Sequence, residues 1–542
     1  MNILLPIVLF GILVFIHELG HFAVAKLSGV FVERFALGFG PTIARKKWGE
    51  TEYALCLLPL GGYVKMRGEE MEENDLKGAP DPRSFASQTV GKRFAIVAMG
   101  PISNLILPVL LFTGLFWVGT PVPLPQVGAV IPDYPAAKAG LRAGDQIVRV
   151  GEASVSTWNE LMAALRPRAN LSTELRIVRN GHEITKEIVP VSENELNLYG
   201  ETQAAGKIGI ELQPYRPTIG IPDANSPAAR VGFKTGDTVL SVNGQPMSYW
   251  WQMEARFSTH GPKKLVVERR VALDAVPTQI SLELDAPTLS AAGIEDGELY
   301  IRDVQPDSIA AQKGLKAGDR LLSVNRTPLS GWYSFRKQIQ ENRGDAVSVE
   351  ILRSGKRLTL ELIPREVEHK DEFTKESRKV RQLGVISCAM PGDPGTRIER
   401  YLNPFRALAR GAEETWEISR TTVIGISKLI TGKLGLNSLG GPISIFYLAG
   451  SSYRVGGWIS YFRMMAILSI TLAILNFLPI PILDGGHLFF FLIEIVKGGP
   501  VGARVRQVAQ QVGLFIIVGL MILTFYVDIN RYIVDKIRAL FN

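Results

Sequence analysis

Hydrophobic runs divide this chain before any motif is read. Ile3 to Ile16 carries no polar side chain, and after a short polar interruption the run continues to Lys26. Phe94–Thr120, Met464–Leu483 and Val508–Val527 carry no charge at all. Each stretch approaches the roughly 20 residues that a bilayer requires, so the pattern predicts four transmembrane helices. No lysine or arginine precedes the first run and no small-residue cleavage site follows it, which sets it apart from a secretory signal peptide. A fifth uncharged stretch, Leu434–Tyr453, is broken by Gly435, Gly440, Gly441, Pro442 and Gly450, and reads as interfacial or re-entrant. Ahead of it, Asn403-Pro404 is a helix-start signal. Phe405, Leu408, Ala409, Ala412 and Trp416 then recur at helical spacing, predicting an amphipathic helix on the membrane surface. Between the second and third spans the pattern changes to short alternating runs. One is "LRIVRNGHEITKEIV", with Asn180-Gly181 at a hairpin turn.

The charges orient these spans. The segment from Lys26 to Arg93 holds eleven lysines and arginines, and nothing basic precedes it. Basic residues collect on the cytoplasmic side, so that loop is expected there, with both termini and residues 121–460 outside. Lys497, Arg504 and Arg506 place the last short loop in the cytoplasm as well. A net charge of +8 spread over 542 residues, with no dense basic tract, excludes nucleic acid as the expected partner. Cys56 and Cys388 are the only cysteines, too few and too distant for a disulfide framework.

The outer region repeats itself. "AAKAGLRAGDQIVRVGE" from Ala136, "AARVGFKTGDTVLSVNG" from Ala228 and "AAQKGLKAGDRLLSVNR" from Ala310 share one frame, spaced by 92 and 82 residues. Repeats of that length are tandem globular modules rather than a solenoid. They resemble PDZ domains, α+β modules that bind extended peptides at a sheet edge, although the middle copy lacks a clear turn between Lys263 and Pro287. Peptide C-termini are therefore candidate ligands, and a spacer or size filter is the plainer reading.

Candidate chemistry interrupts the first span. "HELGH" puts His17 and His21 four residues apart, on one face of a helix. Two imidazoles so placed can hold one Zn2+, with Glu18 as general base on water activated by the metal. Ionisable groups at that depth cost roughly 2.5–3.5 kcal/mol each, so coordination explains their tolerance. A catalytic zinc needs a third protein ligand, and "NFLPIPILDGGHLFF" offers Asp484, with His487 and Glu494 as rivals. At about 1.5 Å per residue, His17 lies about 21 Å from Ile3 and Asn476 about 20 Å from Arg463, so both spans bring these groups to one depth. Pro479 and Pro481 should end the helix there, and irregular backbone at that depth belongs beside protein or a water-filled cavity.

Taken together, these motifs are similar to those of the site-2 protease family of intramembrane zinc metalloproteases. The resemblance rests on HELGH, on Gly100, Pro101 and Asn104 in the second span, and on N-x-x-P-x-P-x-L-D-G-G in the third. "ALGFGP" (36–41), "LPLGGYVKMRGE" (58–69) and "GGPISI" (440–445) add to it, in the manner of the branch that regulates sigma-E. It implies zinc ligands His17, His21 and Asp484 and general base Glu18. It also implies Asn476 bonded to substrate backbone or developing oxyanion, with Pro479 and Pro481 shaping the loop. A hairpin over Phe35–Met66 would dip into the membrane from the cytoplasm, its edge free to pair with an unwound substrate. The implied fold is a multi-pass α-helical membrane protein with four transmembrane helices, a membrane-associated β-hairpin and tandem extracytoplasmic PDZ domains. The implied substrates are single-span membrane proteins, an anti-sigma factor or remnant signal peptides, in the bacterial inner membrane. The best-known members of the branch carry two tandem PDZ domains, whereas three repeats stand here.

The expected boundaries are 1–27 for the first span, 28–92 for the cytoplasmic-side region with its hairpin, and 93–120 for the second span. The repeats take 121–215, 216–296 and 297–368, followed by a linker at 369–402. Interfacial helices take 403–457, the third span 458–484, a cytoplasmic loop 485–507, and the fourth span with its tail 508–542. Two rivals remain: a PDZ sensor or scaffold whose metal site is structural, and a metal transporter, which leaves the repeats without a purpose.

Overall fold

The computed structural model of the protein describes residues 4–68, 81–196, 202–257, 261–270, 276–342, 346–370, 377–434 and 440–532. The chain forms two compact units, one of Met1–Thr120 with Ile398–Asn542 and one of Pro121–Arg397.

The first unit is built on helices α1 (Leu4–Leu27), α2 (Val90–Val118), α3 (Pro404–Ile430), α4 (Pro442–Phe477), α5 (Asp484–Lys497) and α6 (Ala503–Tyr532). Four of them, α1, α2, α4 and α6, are long and apolar enough to cross a membrane. Small residues let α1 and α2 meet closely: a Cβ on Gly20 would fall 2.8 Å from the Met99 carbonyl carbon. Leu9 and Leu13 of α1 pack with Ala449, Tyr461 and Met465 of α4, and the Tyr461 hydroxyl donates to the Leu5 carbonyl at 2.8 Å.

α4 is two helices joined across non-helical backbone at Gly456 and Gly457, where the stretch read as interfacial meets the third span; Gly435 lies outside the described residues. Two expectations change here. The helix expected on the surface, α3, instead packs lengthwise on its neighbours. Ile418 joins Phe116 and Ile470, and Ile430 lines a crevice with Phe477. Its buried face is Ala407, Gly411, Glu414 and Thr415, while Phe405 and Trp416 are exposed. Small residues make the helix contact and the apolar stripe is left for lipid, as membrane packing prefers. The loop expected at 485–507 is largely α5, because Leu488 and Phe491 pack on Val97 and Ala98 of α2.

Strands β1 (Val32–Trp48) and β2 (Thr51–Met66) make more than a hairpin. Thr51–Cys56 pairs with Thr42–Trp48 across the turn, as expected of a hairpin. Arg34–Leu37, however, pairs in register with Glu52–Leu55 on one side and with Gly62–Lys65 on the other. The partner numbers rise together on the first side and run oppositely on the second, so a parallel pair lies inside the sheet. The edge strands of this sheet are Thr42–Trp48 and Gly62–Lys65.

The second unit holds three four-stranded sheets. In chain order within each repeat the strands are Gln146–Val150, Ala153–Ser154, Thr173–Arg179 and His182–Ile188; Thr238–Val242, Gln245–Pro246, Lys263–Arg269 and Thr278–Leu284; and Arg320–Val324, Thr327–Pro328, Val347–Arg353 and Lys356–Leu362. The middle copy therefore carries the same sheet, its turn falling on residues outside the described ones. Each repeat has its own apolar core. The shared G-D is explained by an ion pair in each. Asp145, Asp237 and Asp319, each 1% exposed, receive two hydrogen bonds from Arg179, Arg269 and Arg353 at 2.6–2.7 Å. The same arginines donate to the carbonyls of Gly140, Gly232 and Gly314. The linker expected from 369 is partly strand: Ser377–Gln382 pairs with Arg365–Lys370, and Val385–Ser387 closes the third repeat against Ile301–Val304. Ser377–Gln382 is dense in charge, and Val385–Ser387 is short with its partner far back in the chain, so no local alternation announced them.

The chain leaves the first unit beside the point where it returns. A Cβ on Gly119 would meet the Ile398 side chain at 2.6 Å, and Tyr401 N–H donates to the Phe116 carbonyl at 2.9 Å.

Candidate metal centre and active site

α1 positions the first two groups. His17 and His21 are one helical turn apart, and their Nε2 atoms approach to 3.2 Å. Asp484 arrives from the other end of the chain, on the first turn of α5. Its Oδ2 lies 3.1 Å from His17 Nε2 and its Oδ1 3.6 Å from His21 Nε2. Zinc bonds of about 2.05 Å at tetrahedral angles separate neighbouring ligands by roughly 3.3 Å, so the three spacings fit one ion. Among the described residues this is the group of histidine, cysteine and acidic side chains that converges closely enough to hold a metal.

The loop ahead of α5 makes this approach possible. The helix stops at Phe477, before Pro479 and Pro481. The Ile480 N–H then donates to the Leu478 carbonyl and the Leu483 N–H to the Ile480 carbonyl. The loop folds tightly over the start of α5. A Cβ on Gly485 would stand 2.5 Å from the Phe477 carbonyl carbon, and one on Gly486 would stand 2.7 Å from that of Ile480. The two glycines after Asp484 are thus a packing requirement.

The outer nitrogens of the histidines are also held. His21 Nδ1 sits 2.9 Å from the Ile96 carbonyl, which can only accept, so Nε2 is left free toward the metal. His17 Nδ1 faces the buried Asn104 side chain at 3.3 Å. As assigned, Asn104 presents its nitrogen and leaves Oδ1 without a partner. Exchanging the two amide atoms, an equivalent fit, lets Oδ1 accept from His17 Nδ1–H and removes the orphan. Such outer hydrogen bonds fix the tautomer of metal-binding histidines. Motif matching singled out Gly100 and Asn104 without a role; the structure assigns Asn104 to His17 and Gly100 to the space beneath both rings. Ile96 carried no side-chain signal, since its carbonyl does the work.

Glu18 points into a cavity of about 540 Å3 together with His17, His21, Tyr63, Asp484 and His487. Its side chain lies beside Gly62, and the Val64 backbone N–H faces its carboxylate. The sheet edge Gly62–Lys65 therefore runs past Glu18. Asn476 Nδ2 lies 3.5 Å from His17 Nδ1, at the outer limit for a hydrogen bond. The rival ligands have other places. His487 lines the cavity outside the cluster, and Glu494 is paired with Arg93 at 2.7 Å. A larger cavity of about 730 Å3 lies in the second unit, but no metal-ligating set converges there; chemistry rather than volume selects the site.

Comparison with known proteins agrees with this geometry. The family described as peptidase family M50 matches residues 5–520. The regulator of sigma-E protease RseP of Salmonella typhimurium is 32% identical over 534 residues, covering 98% of each chain. That of Escherichia coli is 30% identical over 530 residues, covering 97% of each, and protease RseP of Yersinia pestis is 32% identical over 531, covering 97% of each. A solved PDZ domain protein from Parabacteroides distasonis is 9% identical and covers 48% of this chain and 95% of its own, at a TM-score of 0.13, a likeness too slight to bear on the fold.

Proposed function

Because the chain belongs to peptidase family M50, the site-2 type of zinc metalloprotease, we propose that it hydrolyses transmembrane segments of single-span membrane proteins, with Glu18 as general base. The observation that carries this reading is the convergence of His17, His21 and Asp484 beside Glu18 on a cavity. Zinc held there would polarise the scissile carbonyl and acidify a water. Glu18 takes the proton from the attacking water and returns it to the leaving amine. Asn476, beside His17, offers its amide to the substrate backbone or the developing oxyanion. Pro479 and Pro481 keep that loop out of helix, so that Asp484 and Asn476 reach the same place.

A membrane helix hides its peptide bonds in internal hydrogen bonds, so it must unwind before it is cut. The edge Gly62–Lys65 is suited to receive the unwound strand by β-pairing, which brings it past Glu18. The repeats of the second unit act as PDZ domains that hold back substrates with intact bulky outer domains. Basic-residue placement puts these repeats and both termini in the periplasm, the protein itself being a multi-pass protein of the bacterial inner membrane. The relatives are named for the regulation of sigma-E, and the family resemblance implies an anti-sigma factor already shortened by another protease as one substrate; remnant signal peptides are the other.

A purely structural metal site would be closed by a fourth protein ligand, and none joins the three among the described residues. The test is Glu18→Gln in the purified protein. Bound zinc should stay at the wild-type level while cleavage of a reporter transmembrane segment falls by about 10²–10⁴-fold. Undiminished cleavage would sink the proposal.

A further inference from the structure

The edge strand Thr42–Trp48 is the least covered part of the first unit: every residue from Phe39 to Gly49 is exposed. Two kinds of side chain are sorted along it. Phe39 and Ile43 (62% exposed) stand toward the glycine-bearing end. Arg45, Lys46, Lys47 and Trp48 (78% exposed) stand toward the turn. Among the described residues none of the three cationic side chains makes an ion pair or hydrogen bond, whereas neighbouring charges are committed. Glu52 is taken by Arg34 at 3.2 Å, and Glu50 by Lys26 at 2.6 Å and Arg83 at 2.7 Å.

That last pair of contacts sets a level. Lys26 ends α1, so Glu50 ties the turn after Trp48 to the inner end of the first span. From Trp48 the strand rises about 3.3 Å per residue, which carries Ile43 about 16 Å inward. His17 lies about 14 Å inward from Lys26 along α1. Ile43 therefore stands near catalytic depth, Lys47 and Trp48 stand where headgroups meet water, and Arg45 and Lys46, about 7–10 Å further in on the same rise, reach back up to that level with their long side chains.

We propose that Arg45, Lys46 and Lys47 form a binding edge for anionic phospholipid headgroups, with Trp48 as the interfacial aromatic. This rests on the reading of the hairpin as membrane-dipping. Three unpaired cations at headgroup level complement a negative leaflet, long basic side chains reach up to phosphates from slightly below, and Trp favours that boundary. The plainer role for charged residues on such a strand is to block edge-to-edge pairing between copies. Lipid contact at this edge holds the sheet, and through it the opposite edge Gly62–Lys65, at a fixed height beside Glu18.

The full-length protein can be tested in vesicles with a fluorophore on Ile43→Cys in a Cys56→Ala, Cys388→Ala background. Acyl-chain-brominated phosphatidylcholine should quench the fluorophore, which reports the dipping hairpin. Brominated phosphatidylglycerol should quench it at a lower mole fraction, with a preference of about five-fold per cation at low salt, lost in 0.5 M salt. Arg45→Gln, Lys46→Gln and Lys47→Gln together should keep the quenching and remove the preference. Equal quenching by the two lipids, or a preference that survives the triple variant, overturns the headgroup site while leaving the hairpin in the membrane. Clustering of the triple variant with no change in preference supports the guard role instead and overturns the proposal. No quenching by either lipid overturns the dipping hairpin itself and the headgroup site with it.

Discussion

Gly100→Ala adds one methyl group where α2 passes beneath the histidines. The new Cβ would lie 2.5 Å from His21 Cε1 and 2.9 Å from His17 Cε1, and closer still to His21 Nε2. Non-bonded carbons rest at about 3.5–4.0 Å, so the His21 ring must withdraw by roughly 1 Å. It has little room to do so: its Nδ1 is held to the Ile96 carbonyl at 2.9 Å, and its ring stands 4.8 Å, centroid to centroid, from that of His17. Metal sites tolerate about 0.2 Å in their ligand distances. The alternative is for α1 and α2 to part, an overpacking cost of about 1–3 kcal/mol. In an open helix, Gly→Ala gains about 1 kcal/mol, so here the sign should reverse. Gly114 lies in the same helix with nothing near its missing Cβ, and Gly114→Ala is the matched control. We expect zinc retained after dialysis against a competing chelator to fall at least tenfold in Gly100→Ala, on the scale of disturbed outer-shell contacts. Cleavage of a transmembrane reporter should fall with it. Gly114→Ala should keep both and unfold at a slightly higher temperature. Full zinc and full cleavage in Gly100→Ala would refute the packing argument.

Three further outcomes are expected. Asn104→Leu removes the acceptor proposed for His17 Nδ1–H at nearly constant volume, and should weaken zinc binding by roughly 10–100-fold in a chelator competition while the protein stays folded. Arg353→Met strips the partner from buried Asp319 and should destabilise the third repeat by about 3 kcal/mol, seen in thermal unfolding; an unchanged transition would show that the pair is dispensable. The Asp296 carboxyl is pushed up to about 7 from an ordinary 3.8, first by burial and then by Glu298. The folded form therefore binds more protons between those values. Stability should be greatest below about pH 4, fall as pH rises toward 7, and level off above. Asp296→Asn keeps an acceptor for the Glu298 N–H, so it should raise the unfolding temperature at pH 8 and flatten the slope; a variant that unfolds lower at pH 8 would contradict this.

What could be read from the sequence followed from how local each signal is. His17, Glu18 and His21 lie within five residues, and helical spacing alone sets the two histidines on one face. Asp484 could be matched to them because the spans have fixed rise and enter from one side. Asn104 and the Ile96 carbonyl act across a helix contact that no spacing encodes, and Gly100 shows only absence of a side chain. The hairpin over Phe35–Met66 came from the family resemblance, whereas the parallel pairing of Arg34–Leu37 with Glu52–Leu55 was not legible at all, since it depends on a second reversal near Gly61. α3 misled for a physical reason: beside lipid an apolar stripe marks the outer face of a helix, and the glycine and alanine stripe marks the protein contact.

The meeting of Gly119 with Ile398 has one more consequence. A guest sequence whose entry and exit share a doorstep can grow or shrink by whole modules without stretching its host. Duplication of one repeat would leave the spacing of HELGH, Asn104 and Asp484 in space untouched, though it moves Asp484 tens of residues further from the other two in number. The number of modules, three here, can then change without any revision of the chemistry beneath it.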